Sequence, residues 1–419
     1  MILTKYTYDN MFIREHEFEL PLDYKNPSGE SLSIFLREIR DSESSEKPYL
    51  IFFQGGPGFE SPRPITNTGW IKFALSRYNI LLLDQRGTGR STPATFQTLN
   101  HLSSDEQAEY LQHFRADNIV RDAEAIRKEL NGEKPWSILG QSFGGFCALN
   151  YLSFHSHGLK EAYITGGIPP LGAHPDDIYR RTYQRVKQKN ELFFSIFPEA
   201  ENNANAIANV IRDTNPVLPN GDTLTVERFQ LLGLQLGFSD GFATLNFLME
   251  NAIQQEKLTY SFLKGLLGLQ AFDTNPFFTI LHEACYTQGF SSNWSADRIR
   301  NEFPEFNLGE GDSFLFTGEM LYPWMLDQFS TLAPLKDASH QLAEKSDWPQ
   351  LYDVEKLKTN PVPVSAAVYT NDMYVDRDYS IETASSVRGI QTWETAEFEH
   401  NGLRSHGKKV LEKLFSLLD

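Results

Sequence analysis

Leu139-Gly140-Gln141-Ser142-Phe143-Gly144-Gly145 sets a serine between glycines at the spacing G-x-S-x-G. An apolar run at 136–139 precedes it and reads as a strand; an Ala/Leu-containing run at 146–154 follows and reads as a helix. A chain that turns directly from strand to helix at a serine must hold that serine in a strained conformation. Only small neighbours fit such a turn, so Gly140 and Gly144 flank it. The hydroxyl is then exposed at a helix N-terminus, where backbone N–H groups stabilise developing negative charge. The alternative is a plain Gly-rich turn; the order strand, serine, helix favours a nucleophile.

Working outward, short apolar strands alternate with helical stretches. Segments 12–20 and 32–37 show partial alternation around the turn cluster Asn26-Pro27-Ser28-Gly29 and read as an antiparallel pair. Further strands are expected at 49–53, 79–83 and 162–165, with a helix at 118–130 carrying Ile119, Ala123, Ile126 and Leu130 on one face. Strands separated by helices imply crossover connections and a mostly parallel sheet. Between 168 and 345 the strand-like runs give way to helix-period segments such as 176–197 and 228–248. The sheet pattern resumes with strands at 362–369 and 391–398 and helices at 381–387 and 408–418. The expected organisation is a core of 1–167 and 346–419, interrupted by a helical cap at 168–345.

A serine hydroxyl becomes a nucleophile when a base takes its proton, and the base needs an orienting acid. Asp372 lies just past the strand ending at Tyr369, and His400 just past the following strand. Serine, acid and histidine thus occur in the order, and at the strand ends, that this architecture requires. The rivals are Asp376 and His406; His155 and His157 follow the serine helix too closely to reach back to its start. The oxyanion donors are expected from the N–H of Phe143 and from Gly55 or Gly56, where a backbone without side chains approaches the substrate. A phosphate-cradling role for this Gly-rich loop lacks the lysine and the glycine spacing it requires.

Composition bounds the remaining choices. The 419-residue chain has 2 cysteines, Cys147 and Cys285, which suits a reducing compartment and a cytoplasmic location. Its first residues, MILTKYTYD, are too polar for a signal peptide, and no apolar run approaches a membrane span. A net charge of −17 argues against nucleic acid and anionic membrane as partners and is compatible with a cationic substrate. No metal-ligand spacing is present, and serine hydrolysis needs no cofactor. The oligomeric state is left open.

Four segments together resemble the proline iminopeptidase (prolyl aminopeptidase) family of the α/β-hydrolase superfamily: Gly55-Gly56-Pro57-Gly58, Asp84-Gln85-Arg86-Gly87 with Gly89 and Ser91-Thr92-Pro93, Gly140-Gln141-Ser142-Phe143-Gly144-Gly145, and Asn371-Asp372-Met373. The resemblance implies an α/β-hydrolase fold and a serine acylated by the N-terminal residue of a short peptide, usually proline. It also implies acidic cap groups that bind the substrate's free amino end. One departure is Gln54, where the family usually has histidine ahead of Gly-Gly-Pro-Gly; this concerns the oxyanion loop and not the base. Two cap glutamates in apolar or aromatic surroundings, Glu283 and Glu319, are candidates to pair the ammonium, although each could instead face solvent or an arginine. Nearby aromatic residues either line a pocket for a pyrrolidine ring or are plain core. Arg86 reads as structural. An esterase or amidase on a non-peptide substrate would use the same triad, and would be favoured if both glutamates pointed away from Ser142. A non-catalytic relative would be expected to have lost triad members.

Overall fold

The computed structural model describes residues 2–307 and 313–419. Its centre is a 9-stranded sheet. The strands are β1 (Ile2–Tyr8), β2 (Met11–Pro21), β3 (Ser31–Arg40), β4 (Tyr49–Phe53), β5 (Asn79–Leu83), β6 (Trp136–Gln141) and β7 (Leu159–Thr165). A two-stranded hairpin, β8 (Ile253–Gln254) with β9 (Lys257–Leu258), lies outside the sheet, which is completed by β10 (Val364–Tyr369) and β11 (Ile390–Thr395). The spatial order is β1-β2-β3-β5-β4-β6-β7-β10-β11. The first three strands are joined antiparallel to one another and to β5; from β5 to β11 every pairing is parallel.

Parallel strands are covered on both faces, so their sequences read as unbroken apolar runs. In β4, Ile51 and Phe53 belong to the core on one face while Leu50 and Phe52 belong to the core on the other. Leu81 and Leu83 of β5 divide from Ile80 and Leu82 in the same way. The first core receives the helices Ala116–Asn131 and Phe143–His155; the second receives Gly69–Ala74 and Gly402–Ser416. The chain leaves β4 towards β5 and then crosses back to β6 on the other side. That reversal opens a crevice at the carboxyl ends of β4 and β6, which is where ligands bind in open α/β sheets. The Gly55 loop follows β4 and Ser142 follows β6.

Between β7 and β10, the described residues form helices, loops and the β8–β9 hairpin. The helix expected at 176–197 is Pro175–Ile196. The helix expected at 228–248 is broken. Helix Val226–Gln230 passes into a 3-10 turn over Leu231–Gly237, and a new helix starts at Gly241. The cause is tertiary: a side chain at Gly237 would meet the Tyr374 ring at 2.3 Å, so the backbone is pressed against the loop that carries Asp372. Strand β1 has no counterpart in the sequence reading, because all seven of its residues are exposed and it carries no buried face to produce an alternation.

The turn at Ser142 rests on close backbone approach: a Cβ at Gly144 would lie 2.0 Å from the carbonyl oxygen of Phe53, whereas one at Gly172 meets nothing within 4 Å among the described residues. Gly144→Ala should therefore lower unfolding stability by about 1–3 kcal/mol and Gly172→Ala should leave it unchanged, as read by thermal or denaturant unfolding.

Candidate active site

Ser142 is the residue between β6 and the helix Phe143–His155, with φ 54° and ψ −124°. This is a left-handed conformation that a serine does not adopt unaided. Two hydrogen bonds hold it: the Ser142 N–H donates to the Thr165 carbonyl at 3.0 Å, and the Gly145 N–H donates to the Ser142 carbonyl at 2.7 Å. The elbow is thereby tied to the end of the adjoining strand β7. Phe143 supplies the first amide of the helix, an N–H with no intrahelical acceptor. A Cβ at Gly55 would sit 3.0 Å from the Ser142 Cβ, so the glycine is what lets the loop after β4 lie against the serine.

That loop is fastened from below. The Gln85 side chain donates to the Gln54 carbonyl at 3.0 Å. The Asp84 carboxylate accepts from the Ser61 and Arg90 amides and from the Arg63 guanidinium, tying down the chain on both sides. Arg86 is buried against Asp122 and the carbonyls of Pro21, Leu22 and His113, a structural setting as expected. The sequence motif Asp84-Gln85-Arg86-Gly87 therefore acts as a bracket for the loop after β4.

Asp372 and His400 come together: Asp372 Oδ2 lies 2.6 Å from His400 Nδ1. The other carboxylate oxygen accepts from the amides of Tyr374 at 2.8 Å and Val375 at 3.1 Å, which fixes its direction. With Nδ1–H donated to Asp372, Nε2 is the ring nitrogen left to accept a proton. The Tyr374 ring stands edge-on to the imidazole with centroids 4.6 Å apart. The rivals go elsewhere. Asp376 caps the helix Arg377–Ser386 and pairs with Arg181. His406 is exposed and contacts Ser405 and Phe398.

Ser142, His400, Gly55 and Gly56 line one cavity of about 510 Å³, within the range of small-ligand sites. The inserted helical region contributes Leu234, Phe238, Phe278 and Glu319 to its wall. Phe59 meets Phe278 edge-on at 5.4 Å and completes an aromatic corner. Of the aromatic residues near the two glutamates, Phe278 faces the cavity; Phe314 and Phe316 pack with Phe229 in the core.

The two glutamates separate. The Glu319 side chain is 14% exposed and lies 3.7 Å from His282 Nε2. Burial pushes His282 down to about 3, so this imidazole is neutral and gives Glu319 no counter-charge. Burial, reinforced by the nearby Asp372 charge, pushes the Glu319 carboxyl well above the usual carboxylate range. Glu283 is turned away. Its two oxygens accept from the Ser295 amide at 3.0 Å and the Ala296 amide at 2.9 Å, and it is absent from the cavity wall. The reason is local: the short helix Ser295–Arg300 has Trp294 at its N-cap, with no side-chain cap bond, and a distant carboxylate satisfies its free amides.

Several residues of the site carry no signal in the sequence. Tyr374, Leu234 and Phe238 reach it only because the 3-10 turn folds against the Asp372 loop; Arg63 and Arg404 line the cavity from loop and helix positions that read as ordinary surface.

A crevice at the strand switch point, a serine held in a strained strand-to-helix turn and an Asp–His pair on later strand ends define an α/β-hydrolase. Residues 48–230 match the alpha/beta hydrolase fold family. Over 415 residues the chain is 50% identical to a proline iminopeptidase of Aeromonas sobria, covering 98% of each protein. It is 34% identical over 417 residues to a proline iminopeptidase of Aspergillus aculeatus, covering 96% of this chain and 93% of the other. A proline iminopeptidase of Thermoplasma volcanium is 30% identical over 124 residues, 30% of this chain and 36% of the other. The chain belongs to the proline iminopeptidase family.

Glu283→Ala leaves two buried amides without acceptors and should cost about 2 kcal/mol of stability. Thermal unfolding measures this loss. Any catalytic constant for a free-amine substrate should change less than about twofold, as a group outside the cavity requires.

Proposed function

We propose that this protein is a serine aminopeptidase that releases N-terminal proline, or a similar small residue, from short peptides. The observation that carries this reading is the Glu319 carboxylate, held without a cationic partner among the described residues, in the same cavity as Ser142 and His400. A substrate ammonium placed beside it gains a charge-assisted pair in a partly dry site; a substrate with a blocked amine leaves the carboxylate unpaired. The curated relatives named above support proline as the residue released. Phe278 and Phe59 offer flat apolar faces for a pyrrolidine ring.

In the reaction, Ser142 Oγ attacks the carbonyl carbon of the first residue while His400 Nε2 takes the hydroxyl proton. Asp372 holds the imidazole through Nδ1 and stabilises the imidazolium that forms. The negative oxygen of the tetrahedral intermediate is received by the Phe143 amide and that of Gly55 or Gly56. His400 then passes its proton to the departing amine. Water, activated by the same imidazole, releases the residue from the acyl-enzyme. Residues 168–345 act as a cap that admits short peptides with a free N-terminus and excludes folded proteins. The two free cysteines, both buried, suit a cytoplasmic location.

Hydrolysis of aminoacyl p-nitroanilides (Pro, Ala, Leu and N-blocked Pro) beside a p-nitrophenyl ester tests the reading. Free Pro should be preferred and its N-blocked form refused; ester cleavage with no aminopeptidase activity would sink the peptide substrate. Ser142→Ala and His400→Ala should each lower kcat at least about 1,000-fold, whereas His406→Ala should leave it unchanged. Glu319→Gln should raise KM for the free-amine substrate by about 100-fold.

The pH dependence follows from burial. The Glu319 carboxyl titrates above the usual range, so its charged, ammonium-binding form is populated as pH rises. KM should therefore fall with increasing pH until the substrate amine itself loses its proton near about 8. Steady-state kinetics across pH should show this fall in the wild type and a flat profile in Glu319→Gln.

A further inference from the structure

Lys189 stands on the helix Pro175–Ile196 of the inserted region and is 3% exposed. Its Nζ donates to both oxygens of Glu399, at 2.6 Å each. Glu399 is the residue immediately before His400. A buried ammonium is costly unless a counter-charge meets it with good geometry, so the pair fixes the Glu399 side chain and, through it, the backbone that carries the imidazole. Two further bonds from the inserted region act on the same loop. The His400 N–H donates to the Gly237 carbonyl at 3.2 Å, and the Ser239 N–H donates to Asn401 Oδ1 at 3.1 Å. A third, from the Tyr374 hydroxyl to the Leu234 carbonyl, reaches the Asp372 loop.

The charges around His400 make this pair more than an anchor. Asp372 meets its Nδ1 from the loop after β10, and Tyr374 stands beside the ring. Ser142, Glu319 and Arg404 share the cavity with it, and Glu399 precedes it on its own loop. Asp372 is bonded to the imidazole, Glu399 precedes it in the chain and Glu319 lines the same cavity; Lys189 neutralises the second of these acids. Burial holds the Glu399 carboxyl above the usual carboxylate range, with the Asp372 charge adding to the rise and Lys189 and His400 opposing it.

We propose that Lys189 is a positioning residue for the base, orienting His400 through Glu399 and balancing the negative charge beside its ring. The proposal rests on the reading of His400 as general base. The inserted region then does two things: it contributes part of the wall of the substrate cavity and it completes the electrostatic environment of the triad.

The test is the pH profile of kcat/KM on a prolyl p-nitroanilide, together with the pH profile of labelling by a fluorophosphonate, which needs only the activated serine. Lys189→Met leaves the Glu399 charge unopposed, favours the imidazolium and should move the acidic limb up by about half a unit. Glu399→Gln leaves the ammonium unopposed and should move the same limb down by about as much. The double variant should return the limb to its wild-type position, and Lys189→Arg should keep it there. In Lys189→Met, kcat should fall about tenfold with KM little changed. A merely structural pair would lower thermal stability in both single variants and shift neither limb, and that result would overturn the proposal. Should Lys189→Met fail to fold, an unmoved limb in Glu399→Gln alone overturns it. Wild-type protein that takes up no fluorophosphonate removes the hydrolase reading and this inference with it; normal labelling with unmoved limbs removes the inference alone.

Discussion

The backbone of Ser142, held at φ 54° and ψ −124°, is the constraint on which the rest of the site depends. Left-handed backbone at a serine costs of order 1–3 kcal/mol and persists only where the surroundings leave no alternative. Here the surroundings are the ends of neighbouring strands. Thr165 of β7 receives the serine amide, and Phe53 of β4 lies against Gly144 so closely that no side chain fits between. The strained turn at Ser142 is therefore a product of sheet order: β4, β6 and β7 must be adjacent and parallel before it can form. The same adjacency brings Gly55 against the serine.

The second layer of the site belongs to the region between β7 and β10. It brings the Glu319 carboxylate, from a non-helical stretch, into the cavity that Ser142 and His400 line, without a counter-charge among the described residues, and its segment 231–241 holds the loops carrying Asp372 and His400. The proposed substrate selection and base positioning would thus share one structural unit. On the proposed function, the cavity can tolerate a poorly paired Glu319 because the incoming ammonium supplies what the folded protein withholds. In this respect the site resembles other pockets in which a buried polar group is left unsatisfied until its ligand arrives.

How far the sequence carries this reading depends on the range of the interaction concerned. Ser142, Asp372 and His400 are legible because each sits at a strand end, and strand ends follow from short apolar runs and the turns that bound them. The paired strands β2 and β3 are legible from partial alternation, whereas β1 is silent, since an edge strand exposed along its whole length leaves no pattern. The break in the segment 228–248 is invisible for a different reason: Gly237 is small for the sake of Tyr374, a residue far away in the chain. Glu283 and Glu319 look alike in sequence, each an acid among aromatic residues. What separates them is the helix Ser295–Arg300, which starts without a local cap and draws Glu283 to its amides. Lys189 carries no signal of its own within the helical segment 176–197, and only the folded chain brings Glu399 to it.

The central claim is that Ser142 is the nucleophile of a site built to recognise a free amino terminus. It is tested most directly by mass analysis of the protein after exposure to a prolyl diphenyl phosphonate, with the amine either free or acylated. The account predicts a stoichiometric adduct on the peptide bearing Ser142 with the free amine, formed far faster than with the blocked one. An adduct on another residue, or equal rates for the two reagents, would contradict it.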